Sequence, residues 1–140
     1  MELKFKKLSA HAVIPTCGTG GSAGLDLYLP EPVFLDAYTA VRKVPLHLAV
    51  DVPKGYVGLI TERHSISVTG VRVALEVIGS DHGEELSITA SNNSPHSKKY
   101  DEGVRIARLV IVPYLQCVPV QSEEPGFTVG GAKRCRGNGI

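Results

Sequence analysis

The chain has 140 residues, of which 43% are apolar and 21% charged, with a formal net charge of +1. That length supports one buried core and not two, and the near-neutral balance gives no basic field of the kind nucleic-acid binding requires. The longest apolar runs, such as Leu109-Val110-Ile111-Val112, fall far short of the roughly 20 residues needed to cross a bilayer as a helix. The charged, alternating start Met1-Glu2-Leu3-Lys4-Phe5-Lys6-Lys7 lacks the pattern of a signal peptide. The expected setting is intracellular, cytoplasmic or nuclear, with neither nucleic acid nor membrane as a partner.

Taken in chain order, the sequence reads as almost entirely β. Fifteen glycines and nine prolines separate short runs rich in Val, Ile, Leu, Thr and Tyr, with turn signals about every eight to twelve residues. Strands are expected over Leu3–Leu8, Ala12–Ile14, Gly24–Tyr28, Val33–Leu35, Ala40–Pro45 and Leu48–Asp51. They continue at Tyr56–Thr61, Val71–Val73, Leu86–Ala90, Lys98–Tyr100 and Ile106–Tyr114. In Lys4-Phe5-Lys6-Lys7-Leu8 and Glu85-Leu86-Ser87-Ile88-Thr89 polar and apolar residues take opposite faces. The one helical candidate, His64-Ser65-Ile66-Ser67-Val68, is long enough for a turn or a single helical turn. Many short antiparallel strands without a helical partner imply a sandwich or jelly-roll barrel, which must close or cover its edges. Residues 1–120 form the expected barrel domain. Residues 121–140, rich in Gly, Pro and charge with little periodic hydrophobicity, form an expected mobile arm.

Cys17, Cys117 and Cys135 are odd in number and widely separated, which argues against a disulfide framework and a closed zinc site. Cys135 has Lys133, Arg134 and Arg136 beside it, a setting that lowers a thiol pKa. The alternative is an incidental cysteine in a reducing compartment.

Five motifs carry the functional argument. They are Ser22-Ala23-Gly24-Leu25-Asp26-Leu27, Arg63-His64-Ser65-Ile66, and Val73-Ala74-Leu75-Glu76-Val77-Ile78-Gly79-Ser80-Asp81-His82. The fourth is Gly103-Val104-Arg105-Ile106-Ala107-Arg108-Leu109-Val110, and Arg136-Gly137-Asn138-Gly139 ends the set. In order and near-spacing they resemble the motifs of the homotrimeric dUTPase family, whose members split dUTP into dUMP and pyrophosphate. The resemblance is good over roughly residues 3–114 and poor in the tail. It implies a single-domain all-β jelly-roll barrel that assembles as a homotrimer and takes a deoxynucleoside triphosphate with Mg²⁺.

The same resemblance assigns roles. Asp26 corresponds to the carboxylate that helps hold Mg²⁺ through water, a role that suits a hydrated cation; the alternative is that it merely caps a turn. Arg63, His64 and Ser65 stand where relatives carry Arg-Ser-Ser or Arg-Ser-Gly and contact phosphates. His64 replaces a serine hydroxyl, and Arg63 keeps a planar fork suited to carboxylate pairing. Arg108 replaces a phosphate-contacting Gln and can still bind an anion. Arg105 reads as a structural ion-pair partner. Arg136 matches the arm arginine that reaches the γ-phosphate, but the chain stops at Ile140, without the phenylalanine that stacks on uracil in relatives.

The central motif departs furthest from the family. Ala74, Leu75 and Glu76 occupy the positions of a Gly-Ala-Gly hairpin that admits uracil against the backbone, so larger side chains are expected to narrow or close that slot. Gly79 replaces the water-activating Asp, and His82 replaces the Tyr that stacks on deoxyribose. A positioned base is commonly worth 10²–10⁴-fold. Asp81, two residues away, is the candidate substitute, at a position where the family often carries an acidic residue in any case. On an extended strand its Cα would lie roughly 6–7 Å from that of Gly79, too far without a bulge.

These changes imply a dUTPase-like binding or regulatory trimer whose catalysis is weak or absent. The alternative is an active dUTPase, or a pyrophosphatase for another deoxynucleotide, with a site rearranged around Asp81, His82 and His64. Deamination, known in a related branch of the fold, lacks its general-base Glu, since Thr89 is the nearest counterpart. The compact, divergent sequence suits a viral copy.

Overall fold

The computed structural model describes residues 1–18 and 23–123. Its strands are β1 (Lys4–Lys7), β2 (Thr16–Cys17), β3 (Leu25–Tyr28), β4 (Val33–Leu35), β5 (Arg42–Pro45), β6 (Leu48–Asp51) and β7 (Tyr56–Glu62). After the single helical turn α1 (His64–Ser67) come β8 (Val71–Val73), β9 (Glu76–Ile78), β10 (Ser87–Asn92), β11 (Lys98–Tyr100) and β12 (Arg105–Pro113). The largest sheet has the order β2-β3-β12-β7-β9, and a smaller one runs β5-β10-β8. Two ribbons, β1-β6 and β11-β4, complete a single all-β domain.

The sheets close on one core. Leu27, Leu29, Leu46, Leu48, Ile60, Leu86, Ile88 and Leu109 are wholly buried within it. The alternation read from the sequence places them there: in β10 the residues Ile88, Ala90 and Asn92 point inward while Ser87, Thr89 and Ser91 do not. β12 is the spine, paired with β7 from Ala107 to Pro113 and with β3 from Arg105 to Leu109. A bulge between Arg105 and Ala107 shifts the β3 register, so Arg105 and Arg108 both come to bear on β3.

Gly24 is essential to this close packing. It has a φ of +90°, and a Cβ there would lie 2.8 Å from the Leu109 carbonyl oxygen and 2.9 Å from Arg108 Cγ. Only glycine combines that backbone conformation with that approach. The small-residue motif thus seats β3 against β12 and fixes the position of Asp26.

Two expected elements differ. Residues 12–14 form no strand: Ala12 is buried in a turn whose N–H reaches the Ser9 carbonyl, and pairing begins only at the two-residue β2. Conversely, Glu76–Ile78, absent from the expected strands, is an edge strand on β7. The arm expected over residues 121–140 lies, from residue 124 onward, outside the described residues.

Asn92 is the buried polar hub of the fold. Its Nδ2 donates to the carbonyls of Leu35, Asp36 and His96, and its Oδ1 accepts from the Ser94 N–H and hydroxyl. Every polar atom of the side chain is used, as burial demands. Asn92→Ala should therefore cost about 2–4 kcal/mol, because it strands several buried groups at once. A urea midpoint unchanged from the wild type would contradict this role.

Candidate functional site

The site is built around Asp26 on β3, whose side chain is only 6% exposed. Three arginines approach it. Arg63 Nε is 3.8 Å and Arg108 Nε 3.9 Å from Oδ1, while Arg105 Nη1 is 3.4 Å from Oδ2. Arg63 follows β7 and also donates from Nη1 to the Arg105 carbonyl at 3.1 Å. The cluster therefore joins three adjacent strands of the largest sheet.

Its electrostatics are unbalanced. Three guanidinium groups face one carboxylate, and the Nε atoms of Arg63 and Arg108 are buried without a hydrogen-bond partner. At 3.8–3.9 Å they attract Asp26 as charges but do not hydrogen-bond to it. Buried donors left in this state favour a further anion, and the planar fork of arginine suits phosphate oxygens. Arg105 fulfils the expected pairing. Asp26 caps no turn, since it lies inside β3.

This donor set does not fit a protein-held Mg²⁺. Asp26 is a lone carboxylate among cations, and the described residues contain no group of three His, Cys, Asp or Glu side chains that could hold a metal. A hard cation needs several oxygen ligands, which would have to come from elsewhere.

His64 and Ser65 open α1 at the rim, both exposed. Arg136 and Cys135 lie outside the described residues, while Cys17 and Cys117 are exposed free thiols. Ala74 and Leu75 line an open cleft of about 500 Å³ with Thr61, Glu62, Arg72 and Thr89. Leu75 is 66% exposed. Glu76 and His82 do not line this cleft. Instead, Glu76 Oε1 receives a long 3.5 Å contact from the Thr89 hydroxyl, and its Oε2 is buried without a partner.

Gly79 stands at a turn. The chain leaves β9 after Ile78, and the His82 N–H donates to the Gly79 carbonyl at 3.1 Å. The extended geometry assumed for Asp81 therefore does not hold. Its Oδ1 lies 2.9 Å from where a Gly79 Cβ would be. His82 is half-buried, and its Nδ1 accepts from the Glu84 N–H at 3.4 Å.

Within one chain, Gly79 and the Asp26 cluster are far apart, although Glu76 stands opposite Ile60. Arg108, the β12 partner of Asp26, pairs with Thr61, whereas Ile78 pairs with Gly58, which sets Gly79 level with Val57. Four residues along β7 amount to about 13 Å, and the two groups lie on opposite sides of that strand.

Sequence reasoning missed the Glu62–Arg72 pair in the cleft. Arg72 donates to both Glu62 oxygens, with its shortest contact 2.7 Å, and the Val73 N–H donates to Oε1 as well. A ten-residue separation across a turn carries no periodic signal. The Arg72 hydrogen bonds hold the Glu62 carboxyl below its ordinary value of 4.5, against a smaller opposing effect of burial. A lowered carboxyl pKa contributes stability above the ordinary glutamate range, and that contribution disappears as pH falls through the lowered value. The Tm of Glu62→Gln should therefore lie below the wild type at pH 7, with the gap closing as pH falls below the ordinary glutamate range. A gap independent of pH would rule out this pair as its source.

Comparisons with known proteins agree with this geometry. A family model described as dUTPase matches residues 10–134. The deoxyuridine 5′-triphosphate nucleotidohydrolase of Encephalitozoon cuniculi is 32% identical over 117 residues, covering 83% of this chain and 81% of that protein. The dUTPase of Staphylococcus bacteriophage 80alpha, solved with dUPNHPP, superposes with a TM-score of 0.84 at 26% identity, covering 93% of each chain. A mutant dUTPase from phage phi11 of S. aureus, whose structure describes coordination of a structural Mg(II) ion, superposes with a TM-score of 0.84 at 25% identity. It covers 91% of this chain and all of that one.

Proposed function

Since the chain belongs to the dUTPase family, we propose that it is a trimeric deoxynucleoside triphosphate-binding protein of that family in which hydrolysis of dUTP is strongly weakened. The observation that carries this reading is the contrast between its two motif groups. The anion-attracting cluster of Arg63, Arg105 and Arg108 around Asp26 is built and under-satisfied, whereas position 79 offers no side chain at all.

In this reading Arg63 and Arg108 hold phosphate oxygens, with His64 and Ser65 at the rim and Arg136 reaching in from the tail. Charge that develops on the departing pyrophosphate meets preorganised guanidinium groups. Mg²⁺ accompanies the triphosphate as its counter-ion and is not a resident of the chain. The base and sugar belong to Ala74, Leu75, Glu76 and His82. Because Gly79 lies about 13 Å along β7 from the level of Asp26 and across that strand, this reading takes the two parts of one site from neighbouring copies. This supports the trimer, which heterologous contacts closing a ring would form.

The test is steady-state pyrophosphate release from dUTP. Turnover should be at least about a thousandfold below that of a dUTPase with an intact central motif, as expected when the water-activating side chain at position 79 is absent. The assayed species should sediment as three chains at micromolar concentration. Turnover within tenfold of such a relative, or a monomer at that concentration, would refute the reading.

A further inference from the structure

The side-chain space at Gly79 is not empty. A Cβ built there has one close side-chain neighbour, Asp81 Oδ1 at 2.9 Å. The turn closed by the His82 N–H and the Gly79 carbonyl brings it there, so the carboxylate of residue 81 occupies volume that a side chain at residue 79 would fill. Gly79 has no positive φ and meets no backbone atom closer than 4.0 Å. The backbone would thus accept an ordinary side chain, and the carboxylate of Asp81 is what such a side chain would displace.

Building on the nucleotide-binding reading above, we propose that Asp81 is the water-activating carboxylate for the hydrolysis this chain retains, with Gly79 serving to keep its place open. Asp81 is exposed, so a water can reach it and a proton can leave it. One water donates a proton to the Asp81 carboxylate as its oxygen forms a bond to the α-phosphorus. The bond between that phosphorus and the oxygen bridging to the β-phosphate breaks, and pyrophosphate departs with the electron pair. The proton passes from Asp81 to solvent, leaving dUMP and a regenerated carboxylate. The base is thereby moved two residues along the chain while the carboxylate stays close to the original position. A carboxylate on an exposed turn is loosely oriented, so the turnover expected from it is weak.

The proposal makes an unusual demand of position 79: adding a single methyl group there should harm catalysis. In the full-length chain, Asp81→Asn should lower kcat for pyrophosphate release from dUTP at least tenfold. It should leave the affinity for a nonhydrolysable α,β-imido analogue within threefold. Gly79→Ala should lower kcat in the same way by displacing the carboxylate, and Asp81→Glu should recover part of the loss. Asp81 is exposed at a turn, so its Asn variant should keep the wild-type melting transition. Wild-type turnover indistinguishable from the uncatalysed rate, or Asp81→Asn within threefold of wild-type kcat, would overturn the role of Asp81. With the analogue still bound, the nucleotide-binding reading would survive that result. Absence of analogue binding by the wild type would overturn both.

Discussion

Most of what this molecule can do depends on one buried carboxylate. Asp26 is buried on β3 of the largest sheet, where an uncompensated charge would cost several kcal/mol. The fold answers with three arginines drawn from the end of β7 and from β12. That solution depends on the backbone. Gly24 allows β3 to approach β12 closely, and the bulge at Arg105–Ala107 turns two arginines of one strand toward one target. Because the arginines exceed what one carboxylate can satisfy, compensating Asp26 also creates an attraction for anions.

In the proposed reading this arrangement separates binding from bond cleavage. Attraction for an anion needs only charge and donors, and Arg63, Arg105 and Arg108 share it. Water activation depends on a single carboxylate in a single place. The central motif also lies at the edge of its sheet, on β9, where fewer packing constraints bind each residue than on β12. The positions that depart from the resembled pattern, Leu75, Glu76, Gly79 and His82, lie on or beside β9, whereas the β3–β12–β7 unit packs around Gly24 and Leu109.

Much of the fold was legible from the sequence because burial imposes period-two alternation. The strands around Leu27, Ile60, Ile88 and Leu109 stand where their hydrophobic patterns put them. β9 was not legible, since Glu76-Val77-Ile78 is short, begins with a charge and exposes Val77. The run Ala12-Val13-Ile14 suggested a strand, but burial of Ala12 in a turn leaves it without a pairing partner. In the site, Arg63, Arg105 and Arg108 could be selected by motif, yet their convergence on Asp26 required the register. The reach of Asp81 was misjudged because an extended backbone was assumed where the chain turns. The Glu62–Arg72 pair had no signal in the sequence at all.

The central claim is that the chain keeps a polyphosphate-binding site after losing the side chain at position 79. Isothermal titration of the full-length protein with a nonhydrolysable dUTP analogue in the presence of Mg²⁺ tests it most directly. The account predicts saturable binding at one site per chain that weakens at least tenfold in Arg108→Ala, as expected when a charge-assisted phosphate contact is removed. No measurable binding, or binding that Arg108→Ala leaves unchanged, would contradict it.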